Sequence, residues 1–116
     1  MLDWNEYQKQ LNGRSAEIAK LSTETLRVTR CFPSANAKTT HVGGKVRQLI
    51  CLAAAVTLRC EGCIVFHTDA ALKAGANKEE INEALGVAVA MNAGASMVYS
   101  ARVMDAVEAK TSAATA

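Results

Sequence analysis

The segment KVRQLICLAAAVTLRCEGCIVFHTDAALKAG, residues 45–75, contains two consecutive helical patterns. Residues 49–58 are apolar apart from Thr57, which is typical of a helix that is covered on nearly every side. The second pattern is amphipathic, because small, cysteine and histidine residues share one face while charged residues lie on the other. Gly75 then stands where a left-handed residue commonly ends a helix.

The segment before this pair also predicts helix. Asp3 and Glu6 are spaced as a capping box that starts a short helix, which Gly13 is expected to end before a second helical piece over 15–20. Residues 33–44 are the only loop-like stretch. No part of the chain shows the period-two alternation of a β-strand, so the sequence predicts an all-α fold.

Two more helices are predicted after residue 75. Asn77 and Glu80 form a second capping box, which starts a helix over 78–91. A last helix is expected over 96–108. Residues 109–116 are of low complexity and are predicted to be a disordered tail.

One stretch within these helices is similar in composition to a membrane-spanning helix. Residues 84–101 carry no charge and approach the length of a spanning helix. The sequence Asn-Ala-Gly at 92–94 reads as a helix end and a turn, which favours two buried helices. We therefore expect no membrane partner.

Length and composition bound the class of protein. The chain has 116 residues, of which 50% are hydrophobic and only 4% aromatic, which fits one domain of closely packed helices over residues 1–108. Its 13 basic and 11 acidic residues are interspersed without a basic stripe, so we expect no nucleic-acid partner. Residues 1–11 lack the apolar core of a secretory signal, which predicts a cytoplasmic protein. In that compartment, cysteines are more often catalytic or metal-binding than structural.

The apolar helices also predict self-association. Residues 49–58 and 84–91 are apolar on nearly every side, and a chain of this size has little interior in which to bury both. Exposed apolar surface of that size usually marks a subunit contact, so we expect a homo-oligomer.

The reactive side chains are concentrated in the motif Cys60-Glu61-Gly62-Cys63, with His67 four residues further on. On a helix, Cys60, Cys63 and His67 fall within roughly 60° of one another. Such a group can cycle between dithiol and disulfide, activate a thiolate or hold a metal. The start of a helix favours a thiolate at Cys60, and His67 is placed to take the proton of the Cys63 thiol.

Two alternatives to redox chemistry follow from the same residues. A zinc site needs further ligands, and Cys31, Cys51 and His41 do not form a second spaced pair, so we expect no metal. The motif cysteines can also be buried small residues beside an incidental histidine. We expect Cys31 and Cys51 to be buried and His41 to be solvated.

The chain resembles the carboxymuconolactone decarboxylase-like family and, within it, the alkylhydroperoxidase D-like branch. The resemblance covers roughly residues 44–108 and rests on Arg47-Gln48-Leu49-Ile50, the Cys-x-x-Cys-x-x-x-His motif, Ala71-Leu72-Lys73-Ala74-Gly75-Ala76, Glu79-Glu80-Ile81 and Glu83-Ala84-Leu85. It implies an all-helical subunit that assembles as a trimer or hexamer and uses no cofactor. It also implies that Cys63 reacts with peroxide, that His67 is its base and that Cys60 resolves the oxidised thiol.

At Gln48 the chain departs from the branch, which typically carries a glutamate twelve residues before the first cysteine. An amide can donate or accept a hydrogen bond but cannot take a proton at neutral pH, which weakens peroxidase turnover more than dithiol–disulfide exchange. The expected function is a thiol-dependent antioxidant oxidoreductase that reduces hydroperoxides or disulfides with an external thiol reductant. The alternatives are a non-redox enzyme of the decarboxylase type and a non-catalytic, redox-responsive oligomer.

Overall fold

The computed structural model describes residues 1–25, 27 and 41–115, and in these residues the chain is helical with no β-strand. The main helices are α1 (Trp4–Leu21), α2 (Gly43–Leu58), α3 (Glu61–Lys73) and α4 (Lys78–Thr115). The predicted all-α fold is confirmed. Cys31 and most of the predicted loop over 33–44 lie outside the described residues.

α1 begins as predicted but does not end at Gly13. Oδ1 of Asp3 accepts the backbone N–H of Glu6 at 3.0 Å, which caps the first turn. The helix then continues through Gly13 to its end at residue 21, so the two predicted pieces are one helix. A single glycine costs a helix only about 1 kcal/mol, and the ion pair between Arg14 and Glu17, at 2.8 Å, lies on the turn that follows it.

The core lies where α3 and the turn after it pack against α2. Leu52 (3% exposed), Ala71 (0%) and Ala76 form its buried centre, and Leu49 and Ile81 pack against it at the edge. Alanine at two of these positions lets the helix backbones approach closely. The buried core is therefore small and consists mainly of short side chains.

The junction between α3 and α4 follows the sequence signals. Gly75 has a φ of +93°, the left-handed conformation that a helix end requires of it. Asn77 Oδ1 accepts the backbone N–H of Glu80 at 2.8 Å, and the backbone N–H of Asn77 donates to Glu80 Oε2 at 3.1 Å. Both halves of the predicted capping box are thus present.

The same glutamate ties α4 to α2. Nζ of Lys45 donates to Oε1 of Glu80 at 2.8 Å. This hydrogen bond, followed by the one from the Asn77 backbone N–H, lowers the pKa of Glu80 below its ordinary value of 4.5. The starts of α2 and α4 are held together at this point.

α4 is one continuous helix, which corrects two predictions. The two helices predicted over 78–91 and 96–108 are parts of it, and no turn separates them at Gly94. It also continues through 109–115, for which disorder was expected. Alanine is the residue most favourable to helix, and it is frequent in this segment. Helix propensity therefore favours order here although the sequence complexity is low.

The polar residues in the middle of α4 bond to their own helix instead of ending it. Nδ2 of Asn92 donates to the carbonyl of Ala88 at 2.7 Å and to Oγ1 of Thr57, on α2, at 2.8 Å. Oγ of Ser100 donates to the carbonyl of Ser96 at 2.7 Å. These bonds satisfy the side chains without a break in the backbone ladder.

Residues 91–115 of α4, which we call the arm, are exposed along their whole length. The helix contains a window long and apolar enough to cross a membrane by length and composition, and only 6% of that window is buried. The radius of gyration is 19.9 Å, whereas a compact chain of this size has one of about 13 Å. The chain therefore presents a large apolar surface that its own core does not cover.

Candidate redox site at the start of α3

The turn between α2 and α3 places the first cysteine. After Leu58 the backbone turns left-handed at Arg59 (φ 55°, ψ 47°) and becomes extended at Cys60. The backbone N–H of Cys60 donates to the carbonyl of Ala55 at 3.1 Å, which fixes this reversal against the last turn of α2. Cys60 is consequently the residue that caps α3.

The two motif cysteines are joined in a disulfide, with their Cα atoms 5.2 Å apart. Sγ of Cys60 also accepts the backbone N–H of Cys63 at 3.1 Å, and both residues are half-buried. The helix start that was predicted at Cys60 is confirmed, because α3 begins at Glu61 with Cys60 as its cap. An amide N–H that points at the Cys60 sulfur, at the positive end of a helix, is an arrangement that favours negative charge on that sulfur.

His67 lies one turn beyond Cys63 on the same helix and is hydrogen-bonded to α2. Its Nδ1 is 2.8 Å from Oε1 of Gln48, and both side chains are half-buried. An amide oxygen only accepts, so Nδ1 is the nitrogen that carries the proton, and Nε2 is left free to accept one. Gln48 therefore orients the imidazole but supplies no negative charge to it.

The four residues singled out from the sequence thus belong to one candidate site on α2 and α3. Cys60 and Cys63 form the disulfide, and Gln48 reaches the same helix through its bond to His67. Gln48 lies on α2, and the other three residues lie at the cap and in the first two turns of α3. The cysteine pair can store two electrons, one helical turn from an imidazole that Gln48 orients.

The remaining candidate residues do not join this site. Cys51 is a free, half-buried thiol on α2, where burial was expected, and His41 is exposed, as expected. Across residues 1–25, 27 and 41–115, no group of three His, Cys, Asp or Glu side chains could hold a metal ion.

Sequence reasoning missed the contact between α1 and the motif. A β-carbon at Gly62, between the two cysteines, would lie only 3.0 Å from Cδ2 of Leu11, which is closer than the usual 3.5–4.0 Å between carbon atoms. Trp4 and Tyr7 lie earlier on the same half-buried stripe of α1, with their rings edge to face at 6.0 Å. The spacing of these apolar residues was the signal available in the sequence.

Known proteins are similar to this chain in sequence. An uncharacterized protein of Haemophilus influenzae is 39% identical over 104 residues, which are 90% of this chain and 92% of that protein. The protein described as uncharacterized protein 4 in the cox locus of Paracoccus denitrificans is 40% identical over 55 residues, 47% of this chain and 50% of that one.

A solved structure and a family comparison agree with these matches. The crystal structure of an apo carboxymuconolactone decarboxylase family protein from Legionella pneumophila superposes with a TM-score of 0.71 at 33% identity, covering 84% of this chain and 88% of that one. A sequence model of the carboxymuconolactone decarboxylase family matches residues 24–106. The chain belongs to the carboxymuconolactone decarboxylase family.

Proposed function

We propose that this chain is a thiol-dependent oxidoreductase, similar to the alkylhydroperoxidase D-like branch of the family, that reduces hydroperoxides or disulfides through Cys60 and Cys63. The observation that carries the proposal is the disulfide at the start of α3, one turn from the histidine that Gln48 orients. A disulfide of this kind is the oxidised half of a dithiol cycle. Its position at a helix start supports reactivity, because thiolates are favoured there.

The peroxide half of the cycle would begin at Cys63. Its thiolate attacks one oxygen of the hydroperoxide, the O–O bond breaks, and the alkoxide leaves as an alcohol after taking a proton. Cys63 becomes a sulfenic acid. The Cys60 thiolate then attacks the Cys63 sulfur, hydroxide leaves as water, and the disulfide forms. The protein has then given up two electrons to the peroxide.

His67 would move the proton in this half. Nε2 takes the proton from the Cys63 thiol and later returns it to the leaving alkoxide. Gln48 keeps the ring in place through Nδ1 but cannot neutralise the imidazolium that forms. We therefore expect peroxide turnover to be slow compared with that of relatives that carry a glutamate here.

An external dithiol would complete the cycle. One thiolate of the reductant attacks a sulfur of the pair to form a mixed disulfide, and its second thiolate releases both protein thiols. The same exchange, run against a foreign disulfide, gives disulfide reductase activity. This exchange depends less on His67, so the weak partner at Gln48 affects it less.

The test is peroxide consumption by the purified protein with dithiothreitol as reductant and cumene hydroperoxide as substrate. The wild-type chain should consume peroxide above the rate of dithiothreitol alone, and Cys63→Ser should abolish this excess. Cys51→Ser is the matched control, because it removes a half-buried cysteine outside the disulfide, and it should retain the activity. Equal loss in both variants, or no excess in the wild type, rejects the peroxidase activity of the pair.

A further inference from the structure

Arg59 stands directly before the cysteine pair, and its backbone is unusual. It has a φ of 55° and a ψ of 47°, the left-handed conformation that L-residues other than glycine seldom adopt. Glycine is the most common residue at such a helix end. Conformational preference therefore does not explain an arginine here.

The Arg59 side chain does not stabilise the fold through a partner either. It is exposed, and it makes no ion pair with any residue in the described part of the chain. By contrast, Lys45 pairs with Glu80, and Lys73 pairs with Asp69. The guanidinium of Arg59 is thus a positive charge exposed to solvent, on the residue that precedes Cys60 of the disulfide.

We propose that Arg59 is a specificity-determining residue of the Cys60–Cys63 pair, which favours thiol reductants that carry an additional negative charge, such as a carboxylate or a sulfonate. The inference rests on the proposed redox function of the pair. The positive end of α3 acts in the same direction as Arg59. Glu61, which is exposed and follows Cys60, acts against both.

The step that Arg59 would influence is the attack of the external thiolate. That thiolate bonds to one sulfur of the pair, the S–S bond breaks, and the other sulfur leaves as a thiolate. A second external thiolate then attacks the sulfur of the first, which releases the remaining protein thiolate and a small disulfide. The two protein thiolates take protons from water, and the protein has gained two electrons.

The expected size of the effect follows from Coulomb attraction in water. Two unit charges about 8 Å apart attract enough to change a rate by about two- to threefold. As thiolates, mercaptoethanesulfonate, 2-mercaptoethanol and cysteamine carry net charges of −2, −1 and zero. In Arg59→Asn, which is neutral and tolerates the left-handed backbone, reduction should slow about fivefold with the first and about twofold with the second, and stay unchanged with the third.

The experiment follows the appearance of free thiols at Cys60 and Cys63 in the oxidised full-length chain by mass spectrometry after alkylation. Each rate is divided by the wild-type rate with the same thiol, so the intrinsic reactivity of the thiol cancels. Arg59→Lys should keep the wild-type order, and 0.5 M NaCl should reduce the graded loss in Arg59→Asn. Lys110→Gln, at the far end of α4, removes the same charge and should change none of the rates.

Three results would overturn the assignment. They are equal slowing with all three thiols in Arg59→Asn, unchanged rates in that variant, and the same graded loss in Lys110→Gln. No peroxide is present, so the measurement does not depend on catalytic turnover. A failure of the proposed peroxidase function would leave these rates intact and is therefore distinguishable.

Discussion

The two halves of α4 have the same secondary structure and opposite surroundings. Residues 78–90 pack against α2, bury Ala88 and carry the bond between Glu80 and Lys45. The arm, residues 91–115, is just as helical but buries nothing, although Met97 and Met104 lie on it. The comparison teaches that the arm is helical without being buried by its own chain. What the arm lacks is a surface to pack against.

The largest expected effect comes from charging the arm. If a homo-oligomer of three or six subunits covers it, Met97→Glu combined with Met104→Glu should reduce the assembly to smaller species, because a charge in an apolar contact is strongly unfavourable. Light scattering coupled to size-exclusion chromatography gives the mass. Lys9→Glu, at an exposed position on α1 outside the arm, changes the net charge by the same amount and should keep the wild-type mass. A wild-type chain that is a stable monomer at micromolar concentration contradicts this expectation.

The next effect tests the core against which residues 78–90 of α4 pack. Leu52→Ala should lower the free energy of unfolding by about 2–5 kcal/mol, because it leaves a cavity in the small core. Leu58→Ala, the same change at a residue that is 73% exposed on the same helix, should cost less than about 0.5 kcal/mol. Urea unfolding measures both values. A cost at Leu58 as large as that at Leu52 would show that another subunit buries Leu58.

A smaller effect tests whether Gln48 and His67, on the packed helices α2 and α3, assist the reaction of Cys63 with peroxide. Gln48→Glu should speed the reaction of Cys63 with peroxide about tenfold, part of the 10²- to 10⁴-fold that a general base supplies, because a carboxylate stabilises the imidazolium of His67. The pH at which Cys63 becomes alkylated should fall as well. Stopped-flow kinetics and pH-dependent alkylation measure these changes. Asn82→Asp makes the same amide-to-carboxylate change at an exposed position on α4, and a similar acceleration there would refute the role of Gln48.

The smallest effect concerns the contact that begins α4. The pKa of Glu80 is lower in the folded chain than its ordinary value of 4.5, so its stabilising contribution is complete above that pH and is lost as the pH falls through the lower folded value. Glu80→Gln should therefore be less stable than the wild type at pH 7, with the difference shrinking near pH 3. Urea unfolding at both pH values measures it. Glu79→Gln is the neighbouring control, because it removes an exposed carboxylate from the same turn but leaves the bond between Glu80 and Lys45 in place.

The helix starts and ends in α1, α3 and the beginning of α4 were largely predictable from local sequence. The capping residues Asp3 and Asn77, the helix-ending Gly75 and the motif cysteines act over one or two turns, so their geometry follows from spacing alone. The bond between Gln48 and His67 was not predictable from spacing, because it joins two helices. The resemblance to relatives pointed to Gln48, but only the packing of α2 on α3 brings its oxygen to the ring.

The wrong predictions share a physical cause. Single residues that disfavour helix were expected to end it, although their cost in free energy is small. Gly13 and Gly94 were taken to end helices, yet each costs only about 1 kcal/mol, and the neighbouring turns outweigh it. The low complexity of 109–115 suggested disorder, whereas its alanines favour helix. Local propensity could not decide these cases because the competing terms are nearly equal.

The contact between Leu11 and Gly62 restricts how the two residues between the cysteines can be exchanged. Even a methyl group at position 62 would require Leu11 to shift by a few tenths of an ångström, and a longer side chain would enter the space that Leu11 occupies. Residue 61 is exposed and has no such limit. Designed variants can therefore change residue 61 without affecting α1, whereas a substitution at position 62 also requires the Leu11 side chain to move. In a related protein, a bulky residue at the equivalent of position 62 would require a smaller or displaced side chain at the equivalent of Leu11.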